Sequence, residues 1–350
     1  MSSATPRPGL REVGPYDSPQ WEVAARLNTN ECPVPLPQGF SDDLADAVRD
    51  LALNRYPDGR MTLLRSALAD RTGHPFDGIW AANGSNEILT QLLLAYGGPG
   101  RTAVLFEPTY LLHRRLCWVT QTGIAETRLE PPFRIDGGEV TWAIEQRPDV
   151  IFVCSPNNPT GNAQPADAVR AIADGTDALV IVDEAYAEFG GDTALPLVTT
   201  HPNVAVVRTF SKAFALAGAR IGYVLTSPDV VQDLERVRLP YHVSALTQTA
   251  GVVALRHADE AAAELDAIRS ERDRIVAALG AIDGVTVHPS DANFVLFEPP
   301  GDPKAVWQGL LDRGVLVRDL TAVVPNALRV TAGTAHEVDL FLKSLAEVLR

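Results

Sequence analysis

Five short apolar runs, separated by stretches with a helical pattern, constrain the fold of this chain more than any other feature. They contain no charged residue and most are rich in Val and Ile, as is typical of strands buried on both faces. Such strands alternating with helices predict a mostly parallel sheet covered by helices on both sides. The runs are residues 79–82, 104–106, 150–153, 178–182 and 204–207.

Polar residues follow each of these runs. The carboxyl ends of parallel strands meet at one edge of a sheet, and ligands of open α/β sheets bind there. We therefore expect the five polar segments to form a single site. The segments are residues 83–87, 107–110, 154–161, 183–186 and 211–212.

Lys212 stands out among these polar residues because apolar residues 213–217 follow it. An amine held among apolar groups loses hydration, so its pKa falls and it can act as a nucleophile. The alternative is a lysine that extends its amine from a helix end into water. Taken alone, Lys212 fits either interpretation, and the other strand ends must decide.

A phosphate site is indicated by the turn Asn83-Gly84-Ser85-Asn86, which lies between a predicted strand and a predicted helix. The backbone N–H groups of such a turn can bind a phosphate, although an ordinary capped turn has the same pattern. Ser211 and Arg220 would add a hydroxyl and a guanidinium. No GxGxxG or Walker sequence is present, which argues against a dinucleotide.

The remaining strand-end residues match the other parts of one cofactor. Asp183 can pair with a cationic ring nitrogen, and Tyr110 can stack on a ring. Asn158 and Tyr186 can hold a phenolic oxygen, and Lys212 can bind a carbonyl carbon. Phosphate, pyridinium, phenolate and aldehyde together describe pyridoxal 5′-phosphate (PLP).

The segment 211–223, with Ser211-Lys212-Ala213-Phe214 and Arg220, resembles the lysine signature of the fold-type-I PLP-dependent aminotransferases. Within them the chain is similar to the histidinol-phosphate aminotransferase family over nearly its whole length and in the same order. Cys32 stands where that family usually has Asn, and Ala215 where it often has Gly. The segments that carry this resemblance are residues 27–31, 54–57, 155–161, 183–186 and 328–334.

The resemblance implies an α/β fold of PLP fold type I. A large domain would hold a mostly parallel, seven-stranded-type sheet sandwiched by helices, and a smaller α+β domain would follow. The expected boundaries are an N-terminal arm at residues 1–35, a large PLP-binding domain at 36–245 and a small C-terminal domain at 246–350.

The resemblance also implies residue roles. Lys212 would join the cofactor aldehyde and move the substrate proton, while Asp183 and Tyr186 would assist catalysis. Tyr56 would reach the phosphate in a neighbouring subunit, which requires a homodimer. The other cofactor-binding residues would be Gly84, Ser85, Asn86, Tyr110, Asn158, Ser211 and Arg220.

Substrate binding is assigned through the same resemblance to Arg329, assisted by Arg318, with Asn30 and Tyr16 completing the site. Tyr16, on the arm, would cover the substrate of the partner subunit. Purely structural roles are possible for four of the assigned residues. Arg329 could be a surface strand residue, Asn30 could cap a turn and Tyr56 could be a packing aromatic. Arg318 could instead pair with a neighbouring aspartate.

The implied reaction transfers an amino group from L-glutamate to imidazole-acetol phosphate, giving 2-oxoglutarate and L-histidinol phosphate for histidine biosynthesis. Guanidinium groups bind either carboxylate or phosphate, so Arg329 and Arg318 suit both substrates. Aromatic-amino-acid aminotransferases and a threonine-phosphate decarboxylase share most of these motifs and are the nearest alternatives. More remote are a non-catalytic PLP-binding module, which would need a DNA-binding segment, and a Rossmann-like enzyme for another cofactor.

Composition limits the classes of partner that we expect the chain to bind. A net charge of −14 over 350 residues argues against nucleic acid and anionic membranes. No apolar run approaches the roughly 18–20 residues that span a bilayer, and no secretory signal is evident. The cysteines are three, an odd number, and far apart, and no HxxxH pair occurs. These features predict a cytoplasmic protein without a metal site.

Overall fold

The computed structural model describes residues 4, 7, 14 and 19–350. Within that part of the chain, twelve strands form two sheets, and helices pack around both. The strands are β1 (Ala25–Leu27), β2 (Ile79–Ala82), β3 (Thr102–Glu107), β4 (Gly123–Arg128), β5 (Val150–Cys154), β6 (Leu179–Asp183), β7 (Val204–Thr209), β8 (Gly222–Leu225), β9 (Thr286–Val287), β10 (Phe294–Glu298), β11 (Val315–Asp319) and β12 (Leu328–Thr331).

Eleven α-helices connect or cover these strands in the described residues. They are α1 (Gln38–Arg49), α2 (Thr62–Thr72), α3 (Ser85–Tyr96), α4 (Leu111–Thr120), α5 (Gly137–Glu145), α6 (Ala166–Gly175), α7 (Pro228–Val237), α8 (Ala245–Arg256), α9 (Ala258–Gly280), α10 (Pro303–Leu311) and α11 (Ala335–Val348). None of the helices in the described ranges is long and apolar enough to cross a membrane.

The first sheet has seven strands in the order β2-β8-β7-β6-β5-β3-β4. The neighbouring strands from β7 to β4 pair in parallel, whereas β8 runs antiparallel to both β2 and β7. Every residue of β5 and β6 is buried, because helices cover both faces of the sheet. The predicted α/β fold class, with its mostly parallel sheet, is confirmed.

The second sheet has five strands in the order β1-β11-β12-β10-β9. Strand β1 pairs in parallel with β11, and the other neighbours are antiparallel. Strand β1 lies within residues 1–35, which the sequence assigned to an N-terminal arm, and it was not predicted. A three-residue strand is too short to show a period in the sequence.

Two hydrophobic cores correspond to the two sheets. The first core also includes Ala250, Val253 and Ala254 of α8, while α9 contributes Leu265 and Ile268 to the second. The domain boundaries expected from the sequence stay a prediction.

Hydrogen bonds beside the strand ends connect the segments around the first sheet to those around the second. Arg269 of α9 donates a hydrogen bond to the carbonyl oxygen of Phe189 (3.1 Å), and the backbone N–H of Asp291 donates to Gly161 O (2.7 Å). A cleft therefore lies between the carboxyl ends of the first sheet and one end of the second.

Candidate active site

A cavity of about 420 Å³ occupies this cleft. Five polar segments at the strand ends of the first sheet reach it, as the sequence predicted, and β11, β12 and the segment after β1 close it. The predicted site residues that line it are Asn30, Ser85, Asn86, Tyr110, Asn158, Asp183, Tyr186, Ser211, Lys212, Arg220, Arg318 and Arg329.

Lys212 lies in the turn between β7 and β8. Its Nζ donates a hydrogen bond to the carbonyl oxygen of Thr29 (3.0 Å) and lies 5.7 Å from the centre of the Tyr186 ring. Burial, together with the positive charge of Arg329, lowers the pKa of Lys212 to about 7. The amine therefore points into the protein and not into water, and a large fraction of it is neutral near pH 7.

Asp183 ends β6 and is 2% exposed. Its Oδ2 lies 3.0 Å from Nε2 of His113, and its Oδ1 accepts a hydrogen bond from the backbone N–H of Ala185 (3.2 Å). His113 is fully buried and stacks on Phe152 with ring centres 4.7 Å apart. Nδ1 of His113 has no hydrogen-bond partner among the described residues, so we assign the proton to Nε2, which donates to Asp183.

Sequence reasoning missed His113, since helix α4 was not predicted. A usable signal exists: His113 follows Tyr110 by three residues, which is one helical turn after a strand end. The imidazole fixes the direction in which the Asp183 carboxylate can face a ligand.

The phosphate turn and Arg220 form one cradle. Gly84 precedes α3 with φ of +82°, and a Cβ at this position would overlap Nη2 of Arg220. Nη1 of Arg220 donates to Oγ of Ser211 (3.0 Å). A helix N-terminus, a guanidinium and a hydroxyl thus surround one small space, which is the arrangement that binds a phosphate.

Thr209 is a second residue that sequence reasoning missed. It is buried at the end of β7 and lines the cavity, two residues beyond the predicted end of the strand. Its Oγ1 accepts a hydrogen bond from the backbone N–H of Ser211 (3.1 Å) and donates to Ser211 Oγ or to Ile221 O. Thr209 therefore fixes Ser211 for the phosphate cradle.

Arg329 is 6% exposed, so the surface alternative is wrong. Its Nη1 donates to Oδ1 of Asn158 (2.5 Å) and its Nη2 to the carbonyl oxygen of Asn28 (2.9 Å). Arg318 lies opposite Arg329 on the adjacent strand and lines the same cavity. The two guanidinium groups give this end of the cavity a positive field that suits an anion.

Asn30 and Tyr186 form a pair at the base of the cavity. Nδ2 of Asn30 donates to the hydroxyl oxygen of Tyr186 (3.0 Å), and its Oδ1 accepts from Oγ1 of Thr331 (3.1 Å). Asn30 thus orients Tyr186 and does not act as a simple turn cap. Burial raises the pKa of Tyr186 to about 12, so its hydroxyl keeps its proton and can donate it to a ligand.

The structure does not bring every predicted residue to this cavity. Tyr56 is 81% exposed, stacks on Tyr241 with ring centres 4.5 Å apart, and does not line the cavity. Gly84 does not line the cavity either, but it lies against Arg220 of the cradle, where a side chain would not fit. Tyr16 lies outside the described residues.

The residues that are present fit the cofactor expected from the sequence. A phosphate cradle, an oriented buried carboxylate, an aromatic ring and a partly neutral lysine amine line the same cavity. Among the described residues, no cluster of three or more His, Cys, Asp or Glu side chains could hold a metal ion.

Comparison with known proteins first defines the class. Residues 24–345 match the family model of aminotransferase class I and II, so the chain belongs to this family. It is similar to histidinol-phosphate aminotransferases in particular. The protein of that name from Frankia casuarinae is 48% identical, over 98% of this chain and 90% of the relative. The one from Thermobifida fusca is 48% identical, over 97% of this chain and 94% of the relative.

A solved structure gives the same result. The histidinol-phosphate aminotransferase of Sinorhizobium meliloti, in complex with pyridoxal 5′-phosphate, has a TM-score of 0.85 and 25% sequence identity. The match covers 94% of this chain and 92% of that chain.

Proposed function

We propose that this chain is a PLP-dependent aminotransferase that moves an amino group between L-glutamate and histidinol phosphate in histidine biosynthesis. One observation carries the chemistry: Lys212, with a pKa lowered to about 7, lies in a cavity whose walls include a phosphate cradle and a paired carboxylate. The 48% identity to histidinol-phosphate aminotransferases over nearly the whole chain supports the choice of substrate.

PLP, when bound, supplies an electrophilic carbon for the substrate amine and a ring that withdraws electrons from the substrate Cα. The neutral amine of Lys212 can hold the cofactor covalently, and once released it can take the proton from the substrate Cα and return it to another atom. Asp183, held by His113, would keep the ring nitrogen protonated. Ser85, Ser211 and Arg220 would hold the phosphate.

The same substrate pocket must take two substrates in turn. Arg329 and Arg318 can bind the α-carboxylate of glutamate in one half-reaction and the phosphate of histidinol phosphate in the other, because a guanidinium binds either anion through paired hydrogen bonds. Tyr186 and Asn158 would hold the phenolic oxygen of the cofactor in both.

We further propose that the enzyme is a homodimer, in which Tyr56 of one subunit reaches the phosphate cradle of the other. This is supported by the exposure of Tyr56 outside the cavity of its own chain and by the exposed apolar side chains of Leu53, Leu63, Leu239 and Tyr241. The arm with Tyr16 would cover the substrate in the neighbouring subunit. A cytoplasmic location is supported by three unpaired cysteines.

The test of the substrate is a half-reaction. The purified holoenzyme is mixed with L-histidinol phosphate, and the visible absorption of protein-bound PLP is followed. We expect it to bleach, and we expect the Lys212→Ala variant to lack that absorption. A strong preference for phenylalanine, or decarboxylation of threonine phosphate, would instead favour the alternatives that share this scaffold.

A further inference from the structure

Glu31 is a carboxylate in the wall of the cavity to which none of the predicted roles assigns a task. Among the described residues that line the cavity, Asp183 is the other carboxylate, and its oxygens are engaged by His113 and by the N–H of Ala185. The side chain of Glu31 is 34% exposed. Glu31 is therefore the more accessible of the two carboxylates, since the side chain of Asp183 is 3% exposed.

Arg26 fixes Glu31 in this wall. Its Nη2 lies 2.9 Å from Oε2 of Glu31, and a neighbouring cavity of about 430 Å³ lies on the far side of the same glutamate. Glu31 also follows Thr29 by two residues, and Thr29 accepts the hydrogen bond of the Lys212 amine. The negative charge of Glu31 is felt at Lys212, where it opposes the lowering of the lysine pKa.

The two substrates of the proposed function differ at one end only. Both carry an amine, which would react with the cofactor held by Lys212. Both also carry an anionic group, which would bind to Arg329 and Arg318. The far end of glutamate is a second carboxylate, whereas that of histidinol phosphate is an imidazole with an N–H donor and an ordinary pKa of about 6.5. A carboxylate in the wall attracts the imidazole and repels the carboxylate.

We propose that Glu31 determines specificity by accepting a hydrogen bond from the imidazole ring of histidinol phosphate. The inference rests on the proposed function and names the residue that would recognise its distinctive substrate. A charge-assisted hydrogen bond of this kind favours histidinol phosphate over glutamate and over phenylalanine, whose ring has no N–H. Arg26, beside Glu31, offsets the repulsion that the second carboxylate of glutamate would meet.

The test compares Glu31→Gln with wild type in three half-reactions, each followed by bleaching of the holoenzyme. We expect kcat/KM with L-histidinol phosphate to fall by about 10- to 100-fold. The values with L-glutamate and L-phenylalanine should stay within about threefold of wild type. Glu31→Asp, which keeps the charge, should recover part of the lost rate. Glu22→Gln is the matched control, because Glu22 lines the neighbouring cavity only and the net charge changes equally.

Equal losses with all three substrates would show that Glu31 acts through Lys212, and no loss with histidinol phosphate would show that it binds no ring. Either result overturns the inference while the proposed function stands. A wild-type holoenzyme that bleaches with glutamate but not with histidinol phosphate would instead overturn the proposed function itself. Melting temperatures of the holoenzymes confirm that each variant is folded.

Discussion

Nε2 of His113 lies 3.0 Å from Oδ2 of Asp183, and neither residue is more than 2% exposed. The two residues are 70 positions apart, on helix α4 and strand β6. The imidazole N–H is the side-chain donor that aims the carboxylate at the cavity, so the pair acts as one unit.

His113→Phe tests this unit. The ring would still fill the space against Phe152, but Asp183 would lose a buried hydrogen bond and its fixed direction. We expect kcat to fall by about 10- to 100-fold, with a smaller change in KM. Single-turnover bleaching measures the effect. His74→Gln is the control, since His74 is a buried histidine that contacts Thr226 O away from the cavity.

Gly84→Ala tests the phosphate cradle. The new Cβ would overlap Nη2 of Arg220, and the backbone at Gly84 (φ +82°, ψ 163°) is a conformation that other residues avoid. We expect the Kd for PLP to rise at least about tenfold. The measurement is a PLP titration of the cofactor-free protein.

Gly73→Ala is the matched control for that experiment. Gly73 also has a positive φ (+70°), but nothing lies within 4 Å of an added Cβ. It should cost about 1 kcal/mol of stability and leave PLP binding unchanged. Equal PLP affinities in the two variants would mean that Arg220 does not need the space above Gly84.

Tyr56→Phe tests the contribution of one subunit to the other. Removing the hydroxyl should weaken PLP binding by about tenfold, because the proposed hydrogen bond to the phosphate would be lost. The dimer should persist in size-exclusion chromatography with light scattering. Tyr96→Phe is the control, since its hydroxyl binds Asp233 and does not line the active-site cavity. Unchanged PLP affinity in Tyr56→Phe would contradict the proposed role.

The lowered pKa of Lys212 predicts how PLP binding depends on pH. The amine is protonated below about pH 7 and neutral above it, and only the neutral amine attacks an aldehyde. We expect the rate of PLP binding to the cofactor-free protein to rise up to about pH 7 and then level off. A rate that still rises towards about pH 10 would mean an ordinary lysine.

A second buried group makes stability depend on pH. Burial raises the pKa of Glu188 to about 7, with Glu184 adding to the effect and Arg208 opposing it. Between its ordinary value and about 7, the folded state binds more protons than the unfolded state, so this group lowers stability as the pH rises. Arg71 also opposes the rise in the pKa of Glu188, and the charge of Glu188 in turn raises the pKa of Tyr223.

Glu188→Gln should remove that dependence. The difference in melting temperature, variant minus wild type, should be larger at about pH 8 than at about pH 5, because the neutral amide never ionises. The control is Glu145→Gln at an exposed position, which should show no such trend. If the melting temperatures of Glu188→Gln and wild type change with pH in the same way, this account is wrong.

Much of the sheet could be predicted because its central strands are buried on both faces and read as unbroken apolar runs. Strands β4 and β8 could not. In β4, at the edge of the sheet, exposed polar residues such as Glu126 and Arg128 interrupt the pattern, and β8 begins with a glycine, a residue that is depleted in strands. Helix α4 mixes charged and apolar residues, so its helical periodicity of apolar residues is weak. Neither the helix nor His113 was therefore predicted.

The site was predictable where strand ends supply the residues, since topology brings those ends to one edge. Contacts made by folding alone were not predictable: Arg329 and Asn158 lie 171 positions apart, and no spacing rule links them. The role proposed for Tyr56 needs a second chain, so the contacts of one chain cannot reveal it.

The hydrogen bond from Lys212 to Thr29 joins the lysine amine to the second sheet, because Thr29 follows β1 and β1 pairs with β11. Arg329 belongs to the same sheet through β12. A rotation of the second sheet over the first would therefore change the partner of the amine and the position of the anion site in a single movement. Substrate capture and release of the lysine would then be mechanically linked.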